Sequence, residues 1–431
     1  MFNTMNECTE FIFSLKAVDH KRAPLVLMKE VLAHLENPHN KLRVIHVAGS
    51  NGKGSTVNAL REMLQHAGYQ VGAFTSPHLE RVNERMTING EPITDERFLY
   101  YFNKLAKIIE EQYNGDFPSF FEVVTLIMFQ FFADQEIDIA LIETGLGGRL
   151  DATNVVTPLL AIITTISLEH TAFLGNTFAK IASEKAGIIK SGVPVVVGVS
   201  NEEALAVIKE TADAQQAPCF ILGQDFTVSD ILQSTDVQQF TYEKGNIAMT
   251  DIALKMAGPH QINNASLVPL QQSLHYVKGE LLLYQTHPFG MDFDMHIGLT
   301  ASNNGTQKIV LDGAHNSEGT AALIQTLKHV FPKSHYRFVY AALADKDHAN
   351  SIALMDDVAT SIAFTQINLP NAMPAEDLVV LSTNANKSYY EDWLESVQTV
   401  LRERAEEDVV VITGSLYFIA GVRQWLQEEG R

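Results

Sequence analysis

LRVIHVAGSNGKGST, residues 42–56, is the stretch that decides the fold. A mostly apolar run, 42–48, ends in a loop that holds Gly49, Gly52, Gly54, one lysine and a Ser-Thr pair. Apolar spacing of 3.6 residues then predicts a helix at about 54–67. A strand that is apolar without alternation is buried on both faces, as in a parallel sheet covered by helices.

Working outward, the same unit repeats. Further strands are expected at 70–75, 138–143, 160–166 and 194–199. Helices are expected at about 94–112, 120–134, 177–189 and 201–215. From about 225 to 256 the pattern alternates, as in QFTYEK, and suits an antiparallel hairpin or two. Residues 285–307 are rich in turn formers. Beyond them KIVLDGAH (308–315), YRFVYAAL (336–343), SIAFTQI (361–367) and DVVVITGS (408–415) resume the strand–helix alternation. The expected class is α/β: a P-loop, mostly parallel sheet domain over 1–295, a linker at 296–307, and a smaller Rossmann-like domain over 308–431.

The chain has 431 residues, enough for two domains with proper cores. Its 51 acidic and 31 basic residues give a net charge of −20, which disfavours a nucleic-acid partner. Cys8 and Cys219 are its two cysteines, too few for a disulfide framework or a Cys-rich zinc site. No basic-then-apolar leader opens the sequence, and no apolar run approaches the roughly 20 residues a membrane helix needs. A cytoplasmic protein without a membrane partner is the expectation.

The loop does not fit the strict G-x-x-x-x-G-K-[ST] pattern, because the first glycine would fall on Val47. What stands is Gly49-x-x-Gly52-Lys53-Gly54-Ser55-Thr56. One reading is a plain strand-to-helix turn with an incidental lysine. The other is an anion cradle made of backbone N–H groups and a helix amino end, lined by residues from Asn51 to Thr56. Lys53 would then reach terminal phosphates, and Ser55 or Thr56 a magnesium ion. The flanking strand and helix favour the cradle.

More segments follow in order: TSPHLERVNER (75–85), ETGLGGRLDATN (143–154), EHTAFLG (169–175), ASEKAGIIK (182–190), HQINNA (260–265), VLDGAHN (310–316), ADKD (344–347) and TGSLYF (413–418). With GSNGKGST, this series resembles the Mur ligase superfamily, in its folate branch of dihydrofolate and folylpolyglutamate synthases, over nearly the whole chain. On its own terms, Glu143 ends an apolar strand at the edge where open α/β sheets place ligands. It could cap a helix or lie in solvent, but magnesium ligation is the better reading. His170 also follows an apolar strand at that edge.

The resemblance adds roles. It implies that His170 binds a second magnesium (Mg2+) and that Ser76 contributes to a metal site. It implies that Lys185, otherwise a helix-face lysine paired with Glu184 or a nearby acid, is carbamylated into a magnesium ligand. Glu169 stands where the family more often shows Asp. His78 and Asn83-Glu84-Arg85 resemble the segment that closes over a pteroyl group. Gln261 and Asn264 resemble contacts to the nucleotide base and ribose. Asp312 and His315 precede Asn316, a good helix N-cap, so a polar cap is one reading. The resemblance instead has Asp312 help place ATP and orient or deprotonate glutamate's ammonium, with His315 contacting phosphate.

The implied reaction is ATP-dependent. A carboxylate of dihydropteroate or a folate becomes an acyl phosphate, and the amine of L-glutamate displaces phosphate to form an amide. ATP, two Mg2+ ions, small-molecule substrates and a monomer are implied. Two departures stand out. The family's Trp-Pro-Gly-Arg-like linker segment is absent, and no arginine lies between Arg149 and Arg337. Its Pro-Arg-Ala reads Pro370-Asn371-Ala372. Lys308 or Lys346 could substitute. The alternatives are a related ligase with another acid or amine, and a nucleotide-binding module with weak turnover.

Overall fold

The computed structural model describes residues 1–15, 25–233, 237–268, 290–291, 308–344 and 348–428. It opens with two helices. At α1 (Met5–Ser14) the Thr4 hydroxyl accepts the Glu7 N–H at 3.2 Å, and the Glu7 carboxylate accepts the Thr4 N–H at 3.3 Å, a reciprocal cap. The helix buries Cys8 and Ile12, one turn apart. α2 (Val26–His34) buries Leu27, Met28, Val31 and Leu32. β1 (Val44–Ala48) is buried throughout.

By compactness the chain divides into two units. One comprises Met1–Ser229, Thr241–Thr250 and Asn263–Met291; the other comprises Asp230–Phe240, Asp251–Ile262 and Asp292–Arg431. In the first, the chain runs from β1 through α3 (Lys53–His66), β2 (Val71–Phe74), β3 (Met86–Ile88), β4 (Glu91–Pro92), α4 (Asp95–Tyr113), α5 (Phe120–Asp134) and β5 (Ile139–Glu143). It continues through β6 (Leu160–Ile163), α6 (Thr171–Leu174), α7 (Phe178–Ala186), β7 (Val195–Val197), α8 (Glu202–Ala214) and β8 (Cys219–Ile221). The eight strands form one sheet in the order β4-β3-β2-β5-β1-β6-β7-β8. From β2 to β8 all pairs are parallel, and β3 and β4 extend it antiparallel.

Helices cover this sheet. α1, α2, α4 and α5 share a core with Val44, Phe74, Ala140 and Ile142, and α7 and α8 share another with Ala48, Ala161 and Ile163. α5 is apolar almost all round and buries ten consecutive residues, Val123–Phe132. Truncating one of them, such as Phe129, to alanine costs about 3–5 kcal/mol. Register then places the chemistry. Val47 lies beside Glu143, and Ala48 beside Ile163, so the carboxyl ends of β5, β1 and β6 are level and their loops share one edge.

The expected strands and helices of this unit are found within a few residues. One boundary moves for a reason: the expected strand 160–166 stops at Ile163, because Thr164 and Thr165 turn to hydrogen-bond the Gly-rich loop. α1, α2, α6, β3, β4 and β8 are additions to the sequence reading.

The alternating segment forms β9 (Thr227–Gln233), β10 (Gln238–Lys244) and β11 (Ile247–Leu254), followed by α9 (Pro259–Ser266) and the two-residue β12 (Gly290–Met291). Their sheet order is β12-β11-β10-β9. Two residues join β10 to β11, which makes that pair an antiparallel hairpin. The rest of the expected linker, including all of 296–307, lies outside the described residues, as does Lys346.

The second unit carries β13 (Lys308–Asp312), α10 (Ser317–Val330), β14 (His335–Tyr340), α11 (His348–Asp356), β15 (Ala359–Thr365), α12 (Ala375–Val379), β16 (Lys387–Tyr390), α13 (Trp393–Glu403), β17 (Asp408–Thr413) and α14 (Leu416–Glu428). Five strands form a parallel sheet in the order β13-β17-β14-β15-β16. Val409 and Val411 enter one core, Val410 and Ile412 the other, so the sheet is buried on both faces. No described helix is long and apolar enough to cross a membrane.

Candidate active site

The loop between β1 and α3 is stitched to the loop after β6. The Ser50 N–H donates to Thr165 O at 2.8 Å, the Asn51 N–H to the Thr165 hydroxyl at 2.9 Å, and the Thr164 hydroxyl to Asn51 O at 2.6 Å. The Ser167 N–H donates to the Ser50 hydroxyl at 2.9 Å. Gly52 has φ +84°, and a Cβ there would fall 2.2 Å from Asn264 Oδ1 of α9. Only glycine suits both conditions. Thr56 is fully buried and its hydroxyl donates to Asn264 O at 3.3 Å, whereas Ser55 is half-buried. Of the two hydroxyls, Ser55 is therefore the one placed for a ligand. Gln261 is buried on the same helix as Asn264, one turn earlier.

Four ionisable groups gather at this loop. The Lys53 ammonium donates to Gly49 O at 2.9 Å and Ser50 O at 3.0 Å, and stands 3.9 Å from Glu143 Oε1. Glu143 is buried at the end of β5 and accepts the Ser76 N–H at 3.2 Å. Burial pushes its carboxyl up to about 7, against the opposing pull of Lys53 and the Ser76 N–H. Ser76 thus meets Glu143 through its backbone.

The buried Lys185 ammonium also donates to Gly49 O, at 2.8 Å, and to Glu169 Oε1 at 2.9 Å. Its partner is Glu169 rather than Glu184, which pairs instead with Arg149 at 2.8 Å. Burial, with help from Lys53, lowers Lys185 to about 8 despite Glu169. Burial would raise Glu169, but Lys185 and Lys53 outweigh it and hold the carboxyl at about 2. The pair is therefore ionised at neutral pH. Next in sequence, His170 caps α6 with φ +46°, a left-handed conformation that is uncommon outside glycine and concentrates at functional sites.

A second cluster surrounds Arg85. Its Nε–H donates to His78 Nδ1 at 2.7 Å, and its guanidinium stands 5.0 Å from the centre of the Phe120 ring. Phe13, 54% exposed, stacks on Phe120 with centroids 5.2 Å apart. Burial and then Arg85 lower His78 to about 4, so it is neutral and carries its proton on Nε2.

In the second unit, Asp312 ends β13 and accepts the Ala314 N–H at 2.8 Å. Burial pushes it up to about 6, partly offset by that bond. His315 Nδ1–H donates to Gly313 O at 2.8 Å. Asn316 is the N-cap of α10, taking the Gly319 N–H at 2.8 Å. Lys308 opens β13, four residues from Asp312 and so about 13 Å away at the opposite sheet edge. It is badly placed to replace a missing arginine.

The family model for the Mur ligase middle domain matches residues 47–269, and that for the Mur ligase glutamate ligase domain matches residues 298–416. The chain belongs to the Mur ligase family. Dihydrofolate synthase/folylpolyglutamate synthase of Bacillus subtilis is 37% identical to it, covering 93% of this chain and 94% of that protein. The crystal structure of a folylpolyglutamate synthase from Thermotoga maritima superposes with a TM-score of 0.82 at 31% identity, over 99% of this chain and 97% of that one. A Mycobacterium tuberculosis folylpolyglutamate synthase complexed with ADP and AMPPCP gives a TM-score of 0.85 at 26% identity, over 98% of each. This Mur ligase therefore falls in the dihydrofolate and folylpolyglutamate synthase branch, and is an ATP-dependent ligase that forms a carbon–nitrogen bond.

Among its described residues, no group of three or more His, Cys, Asp and Glu is arranged around a metal position. A single buried carboxylate, Glu143, with the Ser55 hydroxyl still fits magnesium, which is commonly held by one or two carboxylates with phosphate oxygens and water completing the shell. Sequence reading missed Thr164, Thr165 and Ser167, which fix the loop, and Phe120, which lies against Arg85, with Phe13 stacked on it. The hydroxyl run TTIS directly after an apolar strand is the signal that could have found the first three.

Proposed function

We propose that this ligase joins L-glutamate to dihydropteroate, to reduced folates, or to both, through an acyl phosphate made from ATP. The observation that supports it most is the pairing of Lys53 with buried Glu143, 3.9 Å apart, at the level ends of β1 and β5. A lysine and a carboxylate at a helix amino end suit the triphosphate of ATP and its metal. Magnesium, held by Glu143 and Ser55, with Ser76, His170 and Lys185 as further candidates, would offset the charge that gathers as two anions meet.

The chain's own groups have definite parts. Lys53 leaves the Gly49 and Ser50 carbonyls for the terminal phosphate and stabilises charge on it. The loop N–H groups from Asn51 to Thr56 cradle the other phosphates, with Gln261 and Asn264 toward the base and ribose. Arg85 against Phe120, with the exposed Phe13 ring stacked on Phe120, suits a flat heteroaromatic acid. Asp312, half protonated near pH 6, is suited to orient the ammonium of glutamate and take a proton from it. His315, with Nδ1–H held by Gly313 O, would contact phosphate as the imidazolium, donating from Nε2–H. Carbamylation of Lys185 is part of the proposal: the ammonium would have to leave Glu169 and Gly49 O and give up its proton before the amine adds carbon dioxide, and its lowered pKa of about 8 makes that loss easier than for an exposed lysine.

ADP release, measured with ATP and Mg2+, tests the reading. Release that needs both L-glutamate and dihydropteroate or tetrahydrofolate supports it. Release without any acid refutes it, and release with another acid alone favours a different substrate. The missing linker arginine and Asn371 give that second reading its weight.

A further inference from the structure

The segment ETGLGGRLDATN (143–154) supplies Glu143, but its end, Asp151 to Asn154, has no part in the function proposed above. Asp151 is buried, and both of its oxygens are engaged. Oδ2 accepts the Gly145 N–H at 2.9 Å and the Leu146 N–H at 2.8 Å, the first turn after Glu143 and Thr144. Oδ1 accepts the Thr153 N–H at 3.0 Å and the Thr153 hydroxyl.

A hydroxyl has one proton, and Thr153 gives it to Asp151. At the contact between Thr153 Oγ1 and His46 Nε2, 2.8 Å long, the imidazole must therefore donate. That fixes His46 as the Nε2–H tautomer and leaves Nδ1 a buried acceptor without a hydrogen-bond partner among the described residues. Such an orphan is costly to keep in the middle of a fully buried strand, so the donor on the other nitrogen has a use. The same segment also reaches α7. Asn154 Nδ2–H donates to Arg149 O at 3.0 Å and Gly187 O at 3.1 Å, and the Arg149 N–H donates to Glu184 O at 2.7 Å.

We propose that His46, Thr153 and Asp151 are positioning residues, a relay from β1 that holds the turn after β5 so that Glu143 faces Lys53. None of the three touches the Lys53–Glu143 pair directly. The relay acts on the backbone that carries the carboxylate. This rests on the reading of Glu143 as the carboxylate that meets magnesium.

Thr153→Val keeps the branched shape and removes the hydroxyl; Thr153→Ser keeps the hydroxyl. Three quantities are measured for both and for the unaltered protein: kcat with each KM, the melting temperature, and ADP affinity by calorimetry with and without Mg2+. Losing a partner that orients a metal ligand typically costs 10–100-fold in activity or metal affinity. Thr153→Val should lose about that factor in kcat and in the gain of ADP affinity that Mg2+ brings. ADP affinity without Mg2+ and the KM for glutamate should stay unchanged, and Thr153→Ser should behave as the unaltered protein. If the valine chain does not fold, Thr153→Cys, with its weaker donor, should show a graded version of the same loss.

Thr153→Val with full kcat and full magnesium gain overturns the proposal whatever its melting temperature. Equal impairment of the valine and serine variants does so too. Failure of the ligase reading looks different: the unaltered protein would lack acid- and glutamate-dependent ADP release, while the calorimetric comparison would still decide the relay.

Discussion

Gly52→Ala, alone and with Asn264→Ala, tests how the Gly-rich loop is built. Two costs are separable at Gly52. Its φ of +84° charges any residue with a Cβ about 1–2 kcal/mol. The new methyl would also lie 2.2 Å from Asn264 Oδ1, 2.8 Å from its Cγ and 3.0 Å from its Nδ2. Such overlap forces the asparagine aside, a change of the overpacking kind worth about 1–3 kcal/mol. The single variant should therefore be about 2–5 kcal/mol less stable in urea melts, with a raised KM for ATP. In the double variant the overlap has gone and only the backbone cost remains. The cycle should then give a coupling of about 1–3 kcal/mol, with the double variant more stable than the two single losses added together. Additivity within about 0.5 kcal/mol would falsify the placement of Asn264 over the loop.

Two further predictions concern Glu143 and the cluster around Arg85. Glu143→Gln should abolish ligation yet stabilise the protein at high pH. The folded-state pKa of about 7 stands above the 4.5 of an exposed glutamate, so the folded form binds the proton more tightly and stability falls as pH rises from about 4.5 to 7. At 1.36 kcal/mol per unit this amounts to about 3 kcal/mol, which the neutral glutamine avoids, so the gap between melting temperatures at pH 5 and pH 8 should shrink in the variant. Phe13→Ala removes a stacked ring worth about 0.5–1.5 kcal/mol, so the KM for the acid substrate should rise roughly 2–12-fold with the KM for ATP unchanged. An unaltered KM for the acid would detach Phe13 from substrate binding.

The central strands were legible because strands buried on both faces are apolar nearly throughout: β7 is so at every position, and β1 and β5 depart from it only at His46 and Glu143. α1 and α2 escaped notice because they sit at the start of the chain, where no strand–helix rhythm had yet been set. At the site, the glycines, Lys53 and Glu143 could be found because each type is needed at a strand end. The partner of Lys185 could not. Glu184 is its neighbour in sequence, but the ammonium is buried on the other side, against Glu169, 16 residues earlier. Asp151 and Thr153 were visible as letters, but Thr153 also meets His46, 107 residues away, and no periodicity encodes that distance.

The stitching of the first loop to the one after β6 also governs when the site can exist. Asn51 is bonded to a residue 114 positions later, and β1 acquires its two sheet neighbours only when β5 and β6 have been added. Contacts so distant along the chain are slow to close. On the ribosome, Lys53 emerges early but waits for more than a hundred residues before its cradle has walls, so nucleotide affinity arrives late in synthesis and all at once.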